Sequence, residues 1–275
     1  MDNTIERPAP SKKEGQGMLQ GTVSIVGAGP GDPELITLKA KRLLLEADTV
    51  LYPGSLIEKA IAGLAGEQKE VLDTAPLTLE EILEVIEKRY LGGKNVVRLV
   101  AGDPALFSAL HELSGGLKAK GIPFEVVPGV SSVFAAAARL EAELTVPELC
   151  QSVVVTRLDG RTPVPEGQQI EAFAKTGASV VLFLSAGLVG SMHERLMAAF
   201  GGSVPAVAAY RVGYEDEKIL RTTVAGLKET LAREGISRHA LLFIGEAFGL
   251  GDGSLYRSKL YDPAFGHGYR RAKSP

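Results

Sequence analysis

From residue 22 onward, short β-branched runs alternate with longer segments of helical periodicity, and this alternation restricts the fold more than any other feature. The β-branched runs of the first half are TVSIVG, TVLY, NVVRLV and FEVV, and the helical segments are PELITLKAKRLLLEA, a helix opened by Thr78 with Glu81 three residues on, and SSVFAAAARL. Strands and helices in alternation are typical of α/β folds. We therefore predict that residues 21–144 form a first α/β domain.

The second half contains five further β-branched runs and a helix near residues 188–200. These runs are SVVVTR, SVVLFLS, PAVAAYRV, KILRTTV and HALLFIGEA. Only VGYEDE separates the third run from the fourth, which predicts a hairpin and hence a sheet of mixed direction. We predict a second α/β domain over 152–249, a linker at 145–151 where proline interrupts the periodicity, a loose arm at 1–20 and a tail at 250–275.

Charge and cysteine usage exclude several classes of partner. The chain carries 30 basic and 33 acidic residues, so no overall positive field would attract nucleic acid or an anionic membrane. Cys150 is the single cysteine of the sequence, so it cannot form an internal disulfide, and the four histidines are not spaced as the ligands of a zinc ion would be. The first 20 residues have no apolar central stretch, so they resemble neither a signal peptide nor a membrane span. These features predict a cytoplasmic protein without a metal.

Two strands end in the same tripeptide, at Gly31-Asp32-Pro33 and Gly102-Asp103-Pro104. We expect glycine to turn the chain, aspartate to cap a helix and proline to take the first helical position. The turns follow strands, where open α/β sheets place ligands. A dinucleotide is disfavoured because Asp32 stands where the fingerprint needs a third glycine, and no Gly-Lys-Ser/Thr follows to hold phosphate. Carboxylates beside backbone amides favour a cationic ligand such as S-adenosylmethionine.

Several ordered motifs resemble the tetrapyrrole methylases of corrin biosynthesis. They are VGAGPGDPELITLKA, VRLVAGDPALF, VVPGVSS and, as the most specific, VTRLDGRTPVPE at residues 155–166. Together with EKILRTTV and SKLYDPAFGHGYR, the last motif looks like the branch that methylates carbon 11 of precorrin-4, and the resemblance covers roughly residues 22–270. An ordered set of motifs is far more specific than one glycine loop.

The resemblance implies a homodimer of two α/β domains with S-adenosylmethionine held in the cleft between them. The donor-binding residues that it implies are Pro30, Ala101, Gly102, Asp103, Leu106, Ser131, Ser132, Leu184, Ser185, Tyr210, Thr222 and Ala240. The first glycine loop, with Gly29 and Asp32, is expected to line a trough for the tetrapyrrole. This chain departs from many relatives in having Ala101 where they carry glycine, which is tolerable unless the backbone there needs a positive φ.

Arg157 and Arg161 on the VTRLDGRTPVPE segment are candidates to grip the acetate and propionate arms of the substrate. The alternative is a solvated loop in which these arginines pair with Asp159 or Glu166. Arg211 and Arg221 lie on the predicted hairpin and are expected to be solvated.

Neither a nucleophile nor a catalytic base can be assigned from the sequence. One of Ser131 and Ser132 is expected to cap the alanine-rich helix, which leaves the other to bind ligand. The histidines are expected to be structural, and no histidine lies near Cys150 in the sequence. Asp32, Asp103 and Tyr210 all stay open as a base.

The predicted activity is S-adenosylmethionine-dependent methylation of precorrin-4 at carbon 11, giving precorrin-5 in cobalamin biosynthesis. The alternatives are the cobalt-precorrin-4 version of this reaction and a sister enzyme acting at another ring carbon. Two rivals from other classes are a nicotinamide or flavin oxidoreductase and a non-catalytic tetrapyrrole carrier.

Overall fold

The computed structural model describes residues 21–250, 256 and 258–273. Within these residues the chain forms ten strands and eight α-helices. The strands are β1 Val23–Gly27, β2 Thr49–Tyr52, β3 Glu70–Asp73, β4 Val96–Val100, β5 Glu125–Val127, β6 Val153–Arg157, β7 Ser179–Phe183, β8 Pro205–Tyr210, β9 Lys218–Thr223 and β10 Ala240–Ile244. The helices are α1 Leu38–Glu46, α2 Lys59–Ala62, α3 Leu79–Leu91, α4 Leu110–Ala119, α5 Ser132–Leu140, α6 Ile170–Ala174, α7 Val189–Phe200 and α8 Val224–Arg233. The predicted arm at 1–20 and part of the predicted tail lie outside the described residues.

The first sheet has the order β3-β2-β4-β1-β5, and all its strands are parallel. Helices α1 and α2 pack on one face, whereas α3 and α4 pack on the other. The predicted start of α3 is confirmed: Thr78 Oγ1 accepts from the Glu81 N–H at 3.3 Å, and the Glu81 carboxylate accepts from the Thr78 N–H at 2.8 Å. Because every strand is parallel, the loops that follow β1, β2, β4 and β5 all emerge at one edge.

The second sheet has the order β6-β7-β10-β8-β9 and is mixed, as the sequence predicts. β6 and β7 are parallel, while β8 and β9 form the expected antiparallel hairpin. Helices α6, α7 and α8 cover one face, to which Leu182 and Leu242 contribute. Because side chains alternate along a strand, the neighbouring Val181 and Phe243 belong to the opposite face.

Helix α5 covers that opposite face of the second sheet. Its residues Val133, Ala136 and Leu140 are buried in one apolar cluster with Val207 and Phe243. The sequence places α5 directly after the last strand of the first sheet, yet its apolar side packs on the second. The short alanine side chains suit this position, because they let the helix approach the sheet closely. Helix α5 therefore joins the two halves of the molecule in two ways: it continues the chain from the first sheet, and it packs against the second sheet.

The capping prediction is confirmed for the first Gly-Asp-Pro turn, although only for a short 3-10 helix, and it is wrong for the second. Asp32 caps only the three-residue 3-10 helix Pro33–Leu35, while α1 is capped by Thr37. Asp103 caps no helix at all, since α4 begins at Leu110. What both aspartates share is an Asx turn, in which the carboxylate accepts from the N–H two residues on at 2.8 Å.

Candidate functional site

A cavity of about 550 Å3 lies between the two sheets, a size that suits one small organic ligand. Its walls come from the loops after β1, β2, β4 and β5 of the first sheet and from the ends of β7, β8 and β10 of the second. The residues that line it are Gly29, Pro30, Gly54–Glu58, Ala101–Asp103, Leu106, Phe107, Ser131, Ser132, Phe183–Ala186, Ala209, Arg211, Val212, Tyr214 and Ser237–Leu241.

Three loops of the first sheet meet backbone to backbone under the cavity. A Cβ on Gly129 would overlap the Gly102 carbonyl oxygen, and one on Gly27 would lie 2.5 Å from the Gly129 nitrogen. Only glycine permits this approach. Gly29 and Gly102 also exchange backbone hydrogen bonds of 3.2 and 2.9 Å. The backbone at Ala101 does not have a positive φ, so the methyl group is accommodated without backbone strain.

Asp103 joins two of these loops through both oxygens of its carboxylate. Oδ1 accepts from the Ala105 N–H at 2.8 Å, and Oδ2 accepts from the Gly129 N–H at 2.9 Å. Hydrogen bonds to a charged acceptor are stronger than neutral ones. The resemblance implies that Asp103 and its neighbours bind the donor, and this stays a prediction. In this structure the Asp103 carboxylate fixes the shape of the loops that line the cavity.

The cavity also receives the N-terminus of α5. Ser131 is buried, and its hydroxyl accepts from the Val133 N–H at 3.3 Å, so it is the cap that the sequence predicted for one of the two serines. Ser132 also lines the cavity. The first N–H groups of a helix lack intrahelical acceptors and carry partial positive charge, so this wall suits an anionic group such as a carboxylate.

Ser185 on the opposite wall is completely buried and fixes another loop. Its hydroxyl donates to the Phe183 carbonyl at 2.6 Å and accepts from the Leu158 N–H at 2.8 Å. The hydroxyl is therefore used internally, and Ser185 can offer a ligand only its backbone. The preceding Leu184 has φ 52° and an exposed side chain in the cavity.

Four of the non-glycine residues with positive φ line the cavity, namely Phe107, Leu184, Arg211 and His239. Such conformations cost free energy and concentrate at ligand sites. Phe107 contacts Phe183 across the cleft, with ring centroids 5.0 Å apart. The pKa of His239 is lowered by burial and, to a smaller extent, by the charges of Arg238 and Arg211.

Arg211 connects the two walls of the cavity. Its Nη2 donates to Glu58 of the first half at 2.7 Å, and its Nε donates to Asp216 at 2.5 Å. The guanidinium lies 4.4 Å from the ring centroid of Tyr214, whose hydroxyl donates to the Leu56 carbonyl at 3.1 Å. The hydrogen bond from Arg211 lowers the pKa of Asp216, whereas burial raises the pKa of Tyr214. The expectation that Arg211 is merely solvated is therefore wrong.

Arg221 on β9 is exposed, as expected, but it also has partners within the protein. Its Nη2 donates to the Leu140 carbonyl at 2.9 Å, at the C-terminal end of α5, and its Nη1 donates to the Phe248 carbonyl at 3.4 Å. A cation at the C-terminal carbonyls of a helix is favourable. The arginine therefore ties the edge strand to α5.

Ten of the twelve predicted donor residues line the cavity, and two do not. Tyr210 packs against the core of the second sheet, and the Thr222 hydroxyl lies 3.4 Å from that of Thr230. Of the predicted substrate residues, Gly29 lines the cavity, whereas Asp32, Arg157 and Arg161 do not.

Arg157 holds its own loop closed and pairs with neither Asp159 nor Glu166. Its guanidinium donates to the carbonyl oxygens of Thr162 and Pro163, both at 2.8 Å. Asp159 instead accepts from the Val164 N–H at 3.0 Å and pairs with Arg195 at 3.5 Å. The loop is preformed, and Arg161 lies exposed on it. The roles of Arg157 and Arg161 toward substrate stay predictions.

The sequence did not point to Glu58, Phe107, Phe183 or Arg238, all of which line the cavity. Their only signal is that they follow or precede strands, and many loop residues share that position. Among the residues that the structure describes, no group of histidine, cysteine, aspartate and glutamate could hold a metal ion. No helix in the described ranges is long and apolar enough to cross a membrane.

Two covered sheets with a ligand-sized cavity between them define an α/β protein of the kind that binds a small organic molecule at the carboxyl ends of its strands. The model of the family Tetrapyrrole (Corrin/Porphyrin) Methylases matches residues 22–228. The chain belongs to this family and is a methyltransferase.

Curated relatives and solved structures agree with this assignment. The chain is 46% identical to cobalt-precorrin-4 C(11)-methyltransferase of Priestia megaterium, over 90% of this chain and 96% of that protein. It is 38% identical to precorrin-4 C(11)-methyltransferase of Pseudomonas aeruginosa, over 88% and 99%.

Two solved structures share its fold. A cobalt precorrin-4 methyltransferase superposes with a TM-score of 0.77 at 42% identity, covering 82% of this chain and 95% of that one. Uroporphyrin-III C-methyltransferase from Thermus thermophilus, complexed with S-adenosylhomocysteine, gives a TM-score of 0.67 at 30% identity, over 82% and 98%.

Proposed function

We propose that this chain transfers the methyl group of S-adenosylmethionine to carbon 11 of cobalt-precorrin-4 or precorrin-4 in cobalamin biosynthesis. The observation that carries the proposal is the cavity between the sheets, because ten of the twelve residues predicted to bind the donor line it. The relatives favour the cobalt-containing substrate first, since the cobalt enzyme is 46% identical and the metal-free one 38%.

The cavity walls fit the parts of the donor. We assign the carboxylate of its methionine part to the N-terminus of α5, where Ser132 and free N–H groups lie. The ribose and adenine fit the second wall, formed by Leu184, Ser185 and Ala240, through backbone groups. The volume of about 550 Å3 is too small for the donor and the tetrapyrrole ring together, so the ring has to bind over the mouth of the cavity, from where only its carboxylate arms can reach the walls.

Methyl transfer needs little chemistry from side chains. An electron-rich carbon of the tetrapyrrole attacks the methyl carbon, the carbon–sulfur bond breaks, and its electron pair stays on the sulfur of S-adenosylhomocysteine. The sulfonium already activates the methyl group, so the protein contributes mainly alignment, which is worth up to about 7–11 kcal/mol in well-oriented reactions. This agrees with a cavity whose Asp103 and Ser185 serve to fix loops.

A direct assay tests the proposal. Purified protein is incubated with S-adenosylmethionine and either cobalt-precorrin-4 or metal-free precorrin-4, and the product is identified by mass spectrometry and by the position of the new methyl group in its NMR spectrum. We expect one added methyl group, at carbon 11. A methyl group at another carbon would assign the chain to a sister reaction, and an unmethylated tetrapyrrole with tight binding would support the carrier.

Several expectations from the sequence accompany the proposal. The homodimer, the domain bounds 21–144 and 152–249, and the cytoplasmic location stay predictions. Sedimentation of the purified protein measures the oligomeric state directly. A monomer at micromolar concentration would contradict the dimer.

A further inference from the structure

Arg211 has the arrangement of a carboxylate receptor. Its side chain lines the cavity yet is only 24% exposed. Two of its nitrogens donate to carboxylates, and the guanidinium is supported by the ring of Tyr214. Among the described residues no hydrogen bond from its Nη1 is present. A planar guanidinium held from two sides with donors left over is preorganised to bind a further carboxylate.

The two carboxylates that hold Arg211 are not equivalent. Asp216 lies five residues further along the same turn and does not line the cavity, so it orients the guanidinium from behind. Glu58 lines the cavity and reaches Arg211 from the other half of the molecule, 153 residues away in sequence. Both carboxylates are 54% exposed, and ion pairs so accessible to water add little net stability, so it is the position in the cavity that distinguishes Glu58. Glu58 is therefore the partner that a ligand can replace.

We propose that Arg211 recognises one carboxylate arm of the substrate, and that Glu58 occupies Arg211 until the substrate displaces it. This inference rests on the proposed function, whose tetrapyrrole substrate carries several acetate and propionate arms. Glu58 already shows that a carboxylate in the cavity reaches Nη2 at 2.7 Å. The remaining donors of Arg211 allow the arriving arm to form a bidentate pair, which Glu58 does not form.

The contact between the two walls does not depend on the ion pair. Tyr214 donates to the Leu56 carbonyl at 3.1 Å, and its ring packs so closely on Gly31 that a Cβ there would lie 2.5 Å away. Gly213 likewise packs against the backbone of Asp32. These contacts keep the cleft in place when Glu58 leaves Arg211, so displacement costs the enzyme little.

Two substitutions that should change the Kd for a tetrapyrrole in opposite directions test the proposal. Uroporphyrin, a stable octacarboxylate tetrapyrrole, serves as the probe, and its fluorescence reports binding. Glu58→Gln removes the internal competitor, so we expect the Kd for uroporphyrin to fall about threefold or more. Arg211→Lys keeps the charge but loses the planar fork, so the Kd should rise about tenfold, as for the loss of one charge-assisted hydrogen bond. A purely structural ion pair predicts changes of the same sign for both.

Glu234→Gln is the matched control. It alters net charge by the same amount and breaks a similar bridge, to Lys218 at 2.9 Å, with neither residue lining the cavity. Its Kd for uroporphyrin should equal that of the unmodified protein. Calorimetry with S-adenosylhomocysteine measures donor affinity separately, because Arg211 and Glu58 line the cavity to which we assign the donor. If both residues serve the substrate, all three variants keep the donor affinity of the unmodified protein.

Four results would overturn the inference: weaker uroporphyrin binding by Glu58→Gln, unchanged uroporphyrin binding by Arg211→Lys, weaker S-adenosylhomocysteine binding by Arg211→Lys, or no binding of uroporphyrin by the unmodified protein. A failure of the proposed function would give a different result from a failure of this inference. Suppose that the unmodified protein methylates no precorrin-4, while the two substitutions still shift uroporphyrin affinity in opposite directions. The role of Arg211 as a carboxylate receptor would then be supported, and the proposed methylation would be refuted.

Discussion

Replacing Asp103 with alanine should weaken the binding of S-adenosylhomocysteine, although we do not expect this carboxylate to be the donor's main ligand. Asp103 holds the loop after β4 to the loop after β5 through the Gly129 N–H at 2.9 Å. Both loops line the cavity to which we assign the donor. Without the carboxylate the loops can separate, and donor binding then has to restore their closed arrangement.

The expected magnitude follows from the two hydrogen bonds. A hydrogen bond to a charged group contributes about 1.5–3 kcal/mol, and Asp103 is only half-buried, so we take the lower end for the Gly129 bond. If that free energy is needed to order the loops for binding, the Kd for S-adenosylhomocysteine rises about tenfold. The free energy of unfolding should fall by about 2 kcal/mol.

Two further variants extend the test: one removes a single oxygen of the carboxylate, and the other is a control. Asp103→Asn leaves a side chain with one oxygen, which can serve Ala105 or Gly129 but not both in the same way, so we expect an intermediate loss of affinity. Asp262→Ala is the matched control, because Asp262-Pro263-Ala264 repeats the sequence Asp103-Pro104-Ala105 and the Asp262 carboxylate accepts from the Ala264 N–H at the same 2.8 Å. That turn lies away from the cavity, so donor affinity should not change. Equal losses from Asp103→Ala and Asp262→Ala in calorimetry would refute the reasoning.

Three further predictions concern other parts of the molecule. Ser185→Ala leaves the buried N–H that it serves without an acceptor, so thermal denaturation should show a loss of about 1–3 kcal/mol, whereas Ser191→Ala at an exposed site should change little. The pKa of Glu70 is lowered from 4.5 to about 2, chiefly by its hydrogen bond from an arginine, so its contribution is complete above pH 4.5 and is lost as the pH falls toward 2. Denaturant unfolding of the unmodified protein and Glu70→Gln should therefore differ at pH 6 and converge at low pH; a constant difference would contradict this. Arg161→Ala should raise the KM for the tetrapyrrole and leave the Kd for S-adenosylhomocysteine unchanged; equal effects on both ligands would disprove its role.

Patterns within one element, between neighbouring elements or within short motifs could be predicted from the sequence. The capping pair of Thr78 and Glu81 depends on contacts three residues apart, and the hairpin of β8 and β9 on a short connection. The family, which the comparisons confirm, could also be predicted, because its motifs follow one another in the expected order along the chain. The cap and the hairpin depend on interactions between residues close in sequence, and the motifs can be recognised without the tertiary fold, so the sequence contains the necessary information.

Features that depend on distant residues could not be predicted. A helix after Asp103 is locally reasonable, but the carboxylate is held by Gly129, and the chain passes through Ala109 at φ 56° before α4 begins. Arg211 resembles an ordinary surface arginine until the fold brings Glu58 to it. Neither partner is visible in the flanking residues, since each lies 26 or more positions away.

The packing of α5 has a consequence for dissecting the protein. A break at residues 145–151, where the sequence alone suggests a division, would leave the first fragment with the bare apolar side of α5 and the second with an uncovered sheet face. Both fragments would then be prone to aggregate. A break placed before Pro128 would keep α5 with the sheet it covers, and we expect fragments cut there to be the ones that survive separate expression and reassemble when mixed.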